Sequence, residues 1–193
     1  MSLANETRIA EPQGLRRMTK PMTAKSKSNT NRPPGASLPD NLTAWFSERQ
    51  LLSIVLDAVQ TVELPPTTAP SSNERRLRPS MMLTLLTFCY ATDRLGSEDV
   101  VRSLGENTTV RYICAHHYPK WNDLRLFRRH RRDELRRCLV QVYQQAWAAR
   151  FEEGQTSFES LEWFEQELRG DIERLVDRKL EQAIMLDWAN LED

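Results

Sequence analysis

The chain has 193 residues, 39% of them apolar and 28% charged, with a mean hydropathy of −0.61, enough for one ordinary core with tails. No run approaches the roughly 18 apolar residues of a membrane-spanning helix, and the first twenty residues lack the apolar centre of a secretory signal. A membrane or secreted protein is thereby excluded as an expectation, and a cytoplasmic setting is expected. The three cysteines, Cys89, Cys114 and Cys138, are odd in number and widely spaced, which reads as reduced thiols rather than a disulfide framework.

The 27 basic and 27 acidic residues cancel in number but not in place. Residues 1–40 and 120–137 are basic, whereas residues 151–193 carry 13 acids against Arg169, Arg174, Arg178 and Lys179.

In chain order, residues 1–40 are rich in Ser, Thr, Asn, Pro and Lys and lack apolar periodicity, which predicts a disordered basic leader. From Asn41 to Glu63, Leu42, Trp45, Phe46, Leu51, Leu52, Val55, Leu56 and Val59 recur at three and four spacing, the pattern of an amphipathic helix. The prolines of Leu64–Asn73 predict a loop. Pro79 suits the first turn of a helix over Ser80–Thr92, the most apolar stretch of the chain. Ser97, with Glu98 and Asp99 behind it, is expected to cap a short helix that Gly105 closes. Asn107 can open another through Cys114, which His116-His-Tyr-Pro119 then breaks.

Next comes the segment Trp121–Arg137, holding Arg125, Arg128, Arg129, Arg131, Arg132, Arg136 and Arg137, with Asn122 or Asp123 as its expected cap. On an unbroken helix Arg125, Arg129, Arg132 and Arg136 would fall within about 60° of one another. Leu124, Phe127, Leu135, Cys138 and Val142 would occupy a neighbouring face, and a turn near His130 would spoil the arginine stripe. Only Asp123, Asp133 and Glu134 oppose this charge locally, so a polyanion is a better partner than a plainly solvated face. The apolar stripe continues through Leu139 and Ala149 to about Glu153, where Gly154 ends it. Thr156-Ser-Phe-Glu159 has the form of a capping box, and a second long helix carries Leu161, Phe164, Leu168, Ile172, Leu175, Leu180 and Ala183. The two helices can pair within a chain or between chains.

Chemistry-bearing patterns are sparse. Cys114-Ala-His-His117 holds zinc-compatible groups, but neither Cys89 nor Cys138 completes a recognised spacing, so no metal site is assigned. There is no phosphate-cradling glycine loop and no supported nucleophile, and Glu162, Glu165 and Asp171 fall at solvent-facing helical spacing. No catalytic residue and no cofactor is expected.

Four blocks in order carry a resemblance: Leu77–Ala91, with its proline and apolar helix ending in Tyr90-Ala91; Gly96–Arg102; Val110-Arg-Tyr-Ile-Cys114; and Asp123–His130, ending in Phe-Arg-Arg-His. Together they resemble the N-terminal helical domain of IS-five-like bacterial insertion-sequence transposases over about sixty residues. The resemblance implies a domain that holds a transposon end, ahead of a ribonuclease-H-like catalytic domain using two magnesium ions. Only some fifty-six residues follow Arg137, and they read as helical, so that catalytic domain is not expected here.

The expected fold is all-α: a small helical bundle with a helix-turn-helix-like segment, a long helical hairpin and a disordered N-terminus. Three regions are expected: the leader 1–40, a DNA-binding domain 41–137 and an acidic helical extension 138–193. The expected partner is double-stranded DNA in a nucleoid setting, with a second copy or a separate transposase catalytic chain as further candidates. Arg125, Arg128, Arg129, His130, Arg132 and Arg136 are the expected DNA-binding residues. About five phosphate contacts would give a salt slope of about −4 to −5. The rival expectation is a protein-interaction module whose acidic C-terminal helix pairs with the arginines.

Overall fold

The computed structural model describes residues 37–64, 77–115, 117–152 and 161–189. The described residues hold seven α-helices and no strand, an all-α fold. The helices are α1 (Glu48–Thr61), α2 (Pro79–Ala91), α3 (Ser97–Glu106), α4 (Thr108–Cys114), α5 (Trp121–His130), α6 (Arg132–Glu152) and α7 (Leu161–Ala189).

The helix expected from Asn41 begins instead at Glu48, after a short 3₁₀ turn over Leu42–Ala44. Ser47 and Gln50 explain the later start. They form a capping box in which the Ser47 hydroxyl accepts from the Gln50 amide and the Gln50 side chain accepts from the Ser47 amide. Residues 37–40, assigned above to the leader, join the fold: the Tyr143 hydroxyl donates to the Asp40 carbonyl at 2.8 Å, and the adjoining turn buries Leu42.

α2 lies at the centre. Every residue from Met82 to Ala91 is buried, as expected of a helix apolar all round, and it packs against α1, α4, α5 and α6. α6 supplies Leu135, Cys138, Leu139, Val142, Tyr143 and Ala146 to the same core, and α7 adds Ile172, Leu175, Val176, Leu180 and Ala183. The boundary expected at 137/138 therefore divides nothing: it falls inside α6, and both sides share one core within a compact unit that starts at Ser37. Pairing of α6 with α7 occurs within the chain. α7 runs back along the segment formed by α5 and α6, since Arg128 of α5 meets Ala183 and Asp187 while Arg136 of α6 meets Glu173 and Asp177.

Asn107 links α3 to α4 directly, and its side chain accepts from the Val110 amide as expected for a cap. Gly105 stays inside α3, which ends at Glu106 rather than at the glycine. The expected end at Gly154, the Thr156–Glu159 capping box and the side chains of Leu161 and Phe164 lie outside the described residues, as do residues 1–36 and most of the Leu64–Asn73 loop. No helix among the described residues is long and apolar enough to cross a membrane.

Candidate nucleic-acid interface

The arginine segment is two helices. Arg131 leaves the helical region at φ −125°, ψ 33°, separating α5 from α6, so the turn that would spoil a continuous stripe is present one residue after His130. At its start, Lys120 occupies the cap position rather than Asn122 or Asp123. Asp123 acts three residues in, its carboxylate accepting from the Lys120 amide at 2.9 Å.

Helix phase and the break together place the arginines in three settings. Arg128 is buried, 4% exposed, and bonds only to protein: to the Ala183 carbonyl at 2.9 Å, the Leu95 carbonyl at 3.2 Å, the Ser97 hydroxyl at 3.3 Å and the Asp187 carboxylate. Its guanidinium also lies 5.4 Å from the centre of the Tyr90 ring. Arg128 is thus withdrawn from the expected phosphate-contacting set, because its position on α5 turns it inward, over α2 and towards α7. Arg136 is partly exposed but bound to α7, with Nε 2.6 Å from one Asp177 oxygen and Nη2 3.0 Å from the other, and with Glu173 at 3.4 Å. This contact holds the Asp177 carboxyl below its ordinary range and the guanidinium above its own. Arg136 therefore leaves the stripe as well.

Arg125, Arg129 and Arg132 remain. They line one cleft of about 430 Å³ with Asn122, Leu126, Ile184 and Trp188, and Arg128 and Asp187 at its floor. Arg129 and Arg132 stand on different helices on either side of the break, both exposed, and neither makes an ion pair among the described residues. Arg125 is partly buried, with its guanidinium 5.1 Å from the Trp121 ring centre and its Nε 3.8 Å from Asp187. His130 is exposed at the end of α5 but does not line the cleft.

Asp187 is the residue whose importance the sequence reading missed. It is 7% exposed and accepts from the Ser97 amide and the Ser97 hydroxyl, each at 2.9 Å, as well as from Arg128. Ser97 was expected to cap α3. Instead Gly96 takes the cap position with no side chain to offer, and Asp187 supplies the missing acceptor from across the fold. The available signal was an aspartate four residues after Ala183 on the apolar face of α7, where a solvated acid has no reason to sit. α7 has a second tether: the buried Lys179 ammonium, 2% exposed, lies 2.7 Å from the exposed Asp93 just beyond α2.

Neither a protein-family model, nor a curated protein, nor a solved structure matches this chain. The resemblance to transposases rests on the quoted residue blocks alone.

Away from the cleft, the three cysteines are buried, and desolvation pushes their thiols up to about 12 for Cys89, 11 for Cys114 and 12 for Cys138. None is poised as a thiolate nucleophile. Cys114 and His117, from the zinc-compatible run, differ in setting: the first is fully buried and the second is exposed, its Nδ1 3.0 Å from the Ala115 carbonyl. Among the described residues no group of three or more His, Cys, Asp and Glu is arranged to hold a metal ion.

Proposed function

We propose that this chain is a non-catalytic DNA-binding protein that engages phosphates through Arg125, Arg129 and Arg132. The observation that carries this reading is the convergence of Arg129 and Arg132, exposed and without an ion pair among the described residues, on one cleft from opposite sides of the Arg131 break. Two exposed guanidinium groups on one cleft, neither in an ion pair among the described residues, present donors that a phosphate backbone can accept. Transposase ancestry belongs to the same proposal; a neighbouring reading frame encoding an acidic-triad catalytic domain would support a split transposase.

Three phosphate contacts in place of five lower the expected slope of log affinity against log salt to about −3. Titration of the full chain into labelled duplex across a salt series measures it. Arg129→Ala with Arg132→Ala should flatten the slope by about 2 while the helical circular-dichroism signal stays unchanged. Salt-independent binding, or a double variant that binds like the parent, would remove the cleft from the site.

A second reading is favoured by the Arg128–Asp187, Arg125–Asp187 and Arg136–Asp177 pairs, in which acidic α7 already takes up three of the arginines. In that reading the arginine segment serves helix pairing, and the chain is a protein-interaction module. Dimerisation at low salt in sedimentation experiments, with no shift of labelled duplex, would decide for it.

A further inference from the structure

The cleft is not walled by cations alone. Trp188, 60% exposed, lines it together with Leu126, 46% exposed, and Ile184, so an apolar wall faces the three arginines. The neighbouring Trp121 is also exposed, but Arg125 already occupies a position against its ring. Trp188 makes no ring contact with another described side chain, leaving an exposed indole on the lining of the cleft that Arg129 and Arg132 also line. Among the described residues that line the cleft, the one carboxylate, Asp187, is buried and neutralised by Arg128 and Arg125, and so does little to repel an anion.

We infer that Trp188 is a stacking platform for an unpaired base, and that the cleft takes single-stranded DNA or the open end of a duplex. This rests on the nucleic-acid reading proposed above and names its substrate class. An indole next to paired cations matches the two chemistries of a nucleotide strand: a flat π-face, and a phosphate on its flank. Bases inside a duplex hide their faces in the stack, so blunt duplex can use the arginines but not Trp188. An acidic peptide would use the arginines and leave the Trp188, Leu126 and Ile184 wall bare.

The test uses the full chain and fluorescence anisotropy with four probes: oligo-dT of about 15 nucleotides, the same strand with abasic sites, blunt duplex, and duplex with a short 3′ overhang. Trp188→Ala should weaken binding to oligo-dT and to the overhang duplex by about 5- to 150-fold, the range for losing one stacked base, and change blunt-duplex binding by less than about twofold. Trp188→Phe should restore most of the loss, and the abasic strand should bind the parent no better than oligo-dT binds Trp188→Ala.

Equal binding of abasic and dT strands by the parent, or unchanged overhang binding by Trp188→Ala, would overturn the stacking role. If blunt duplex still binds with the expected salt slope in that case, the phosphate reading survives alone. If no DNA probe binds, both fall. Competition by oligo-glutamate as effective as that by oligo-dT would overturn the inference in favour of an acidic protein partner.

Discussion

Arg128 and Arg129 are adjacent in the sequence and have opposite fates. Arg128 sits in an interior knot with Asp187, Ser97, Leu95 and Ala183, while Arg129 stands on the rim of a cleft with no ion pair among the described residues. About 100° of helical rotation separates them, enough to turn one guanidinium into the protein and the other into solvent. The contrast shows that a dense arginine run is not one functional unit. Its members divide between holding α7 in place and presenting charge outward, and the division follows helix phase rather than composition.

A substitution in the knot should cost the most stability. Asp187→Ala leaves Arg128 buried without its counter-charge and the Ser97 amide without its acceptor. Loss of one partner of a buried pair costs about 3–5 kcal/mol, so the urea midpoint should fall steeply. A loss below about 1 kcal/mol would show that the knot is not the anchor of α7. Arg128→Met combined with Asp187→Leu should recover part of the deficit, because two apolar side chains leave no charge stranded. What remains unrecovered measures the capping of α3.

Much of the fold was legible in the sequence because it is written in local signals. The ten-residue apolar run from Met82 to Ala91 could only be a buried helix, and Asn107 announced its cap by residue type. The site was legible only in part. Arg129 and Arg132 were found because the arginine density pointed to them, but the same density brought in Arg128, which helix phase turns inward, and Arg136 joined the stripe only on the assumption of a continuous helix. The break at Arg131 depends on how α5 and α6 pack on different neighbours, which no short window encodes. Asp187 was not among the expected site residues, since its role depends on Ser97, ninety residues away.

Arg136 and Asp177 have the close geometry of the knot but lie in contact with solvent, at 35% and 44% side-chain exposure. Screening and side-chain entropy should limit the pair to under about 1 kcal/mol, and Arg136→Ala should cost no more than that. The pH dependence has a definite sign. The folded Asp177 carboxyl is held below its unfolded value, so the pair's contribution is complete above an unfolded pKa of about 3.9 and is lost as pH falls through the folded value. Asp177→Asn should therefore flatten the stability profile only on the acid side. Equal destabilisation at neutral and acid pH would instead identify a packing role for the side chain.

The smallest stability effect belongs to the rim. Arg129→Ala with Arg132→Ala removes two exposed side chains that hold no carboxylate among the described residues, so the unfolding free energy should change by less than about 0.5 kcal/mol. A small gain is the more informative result, because relief of guanidinium repulsion would show that the fold tolerates this charge pair rather than depending on it. Raising the salt concentration should remove such a gain, since screening relieves the same repulsion in the parent. A loss of 2 kcal/mol or more, with or without salt, would place Arg129 and Arg132 beside Arg128 as structural residues, and any accompanying fall in DNA affinity would then report a damaged fold rather than a lost contact.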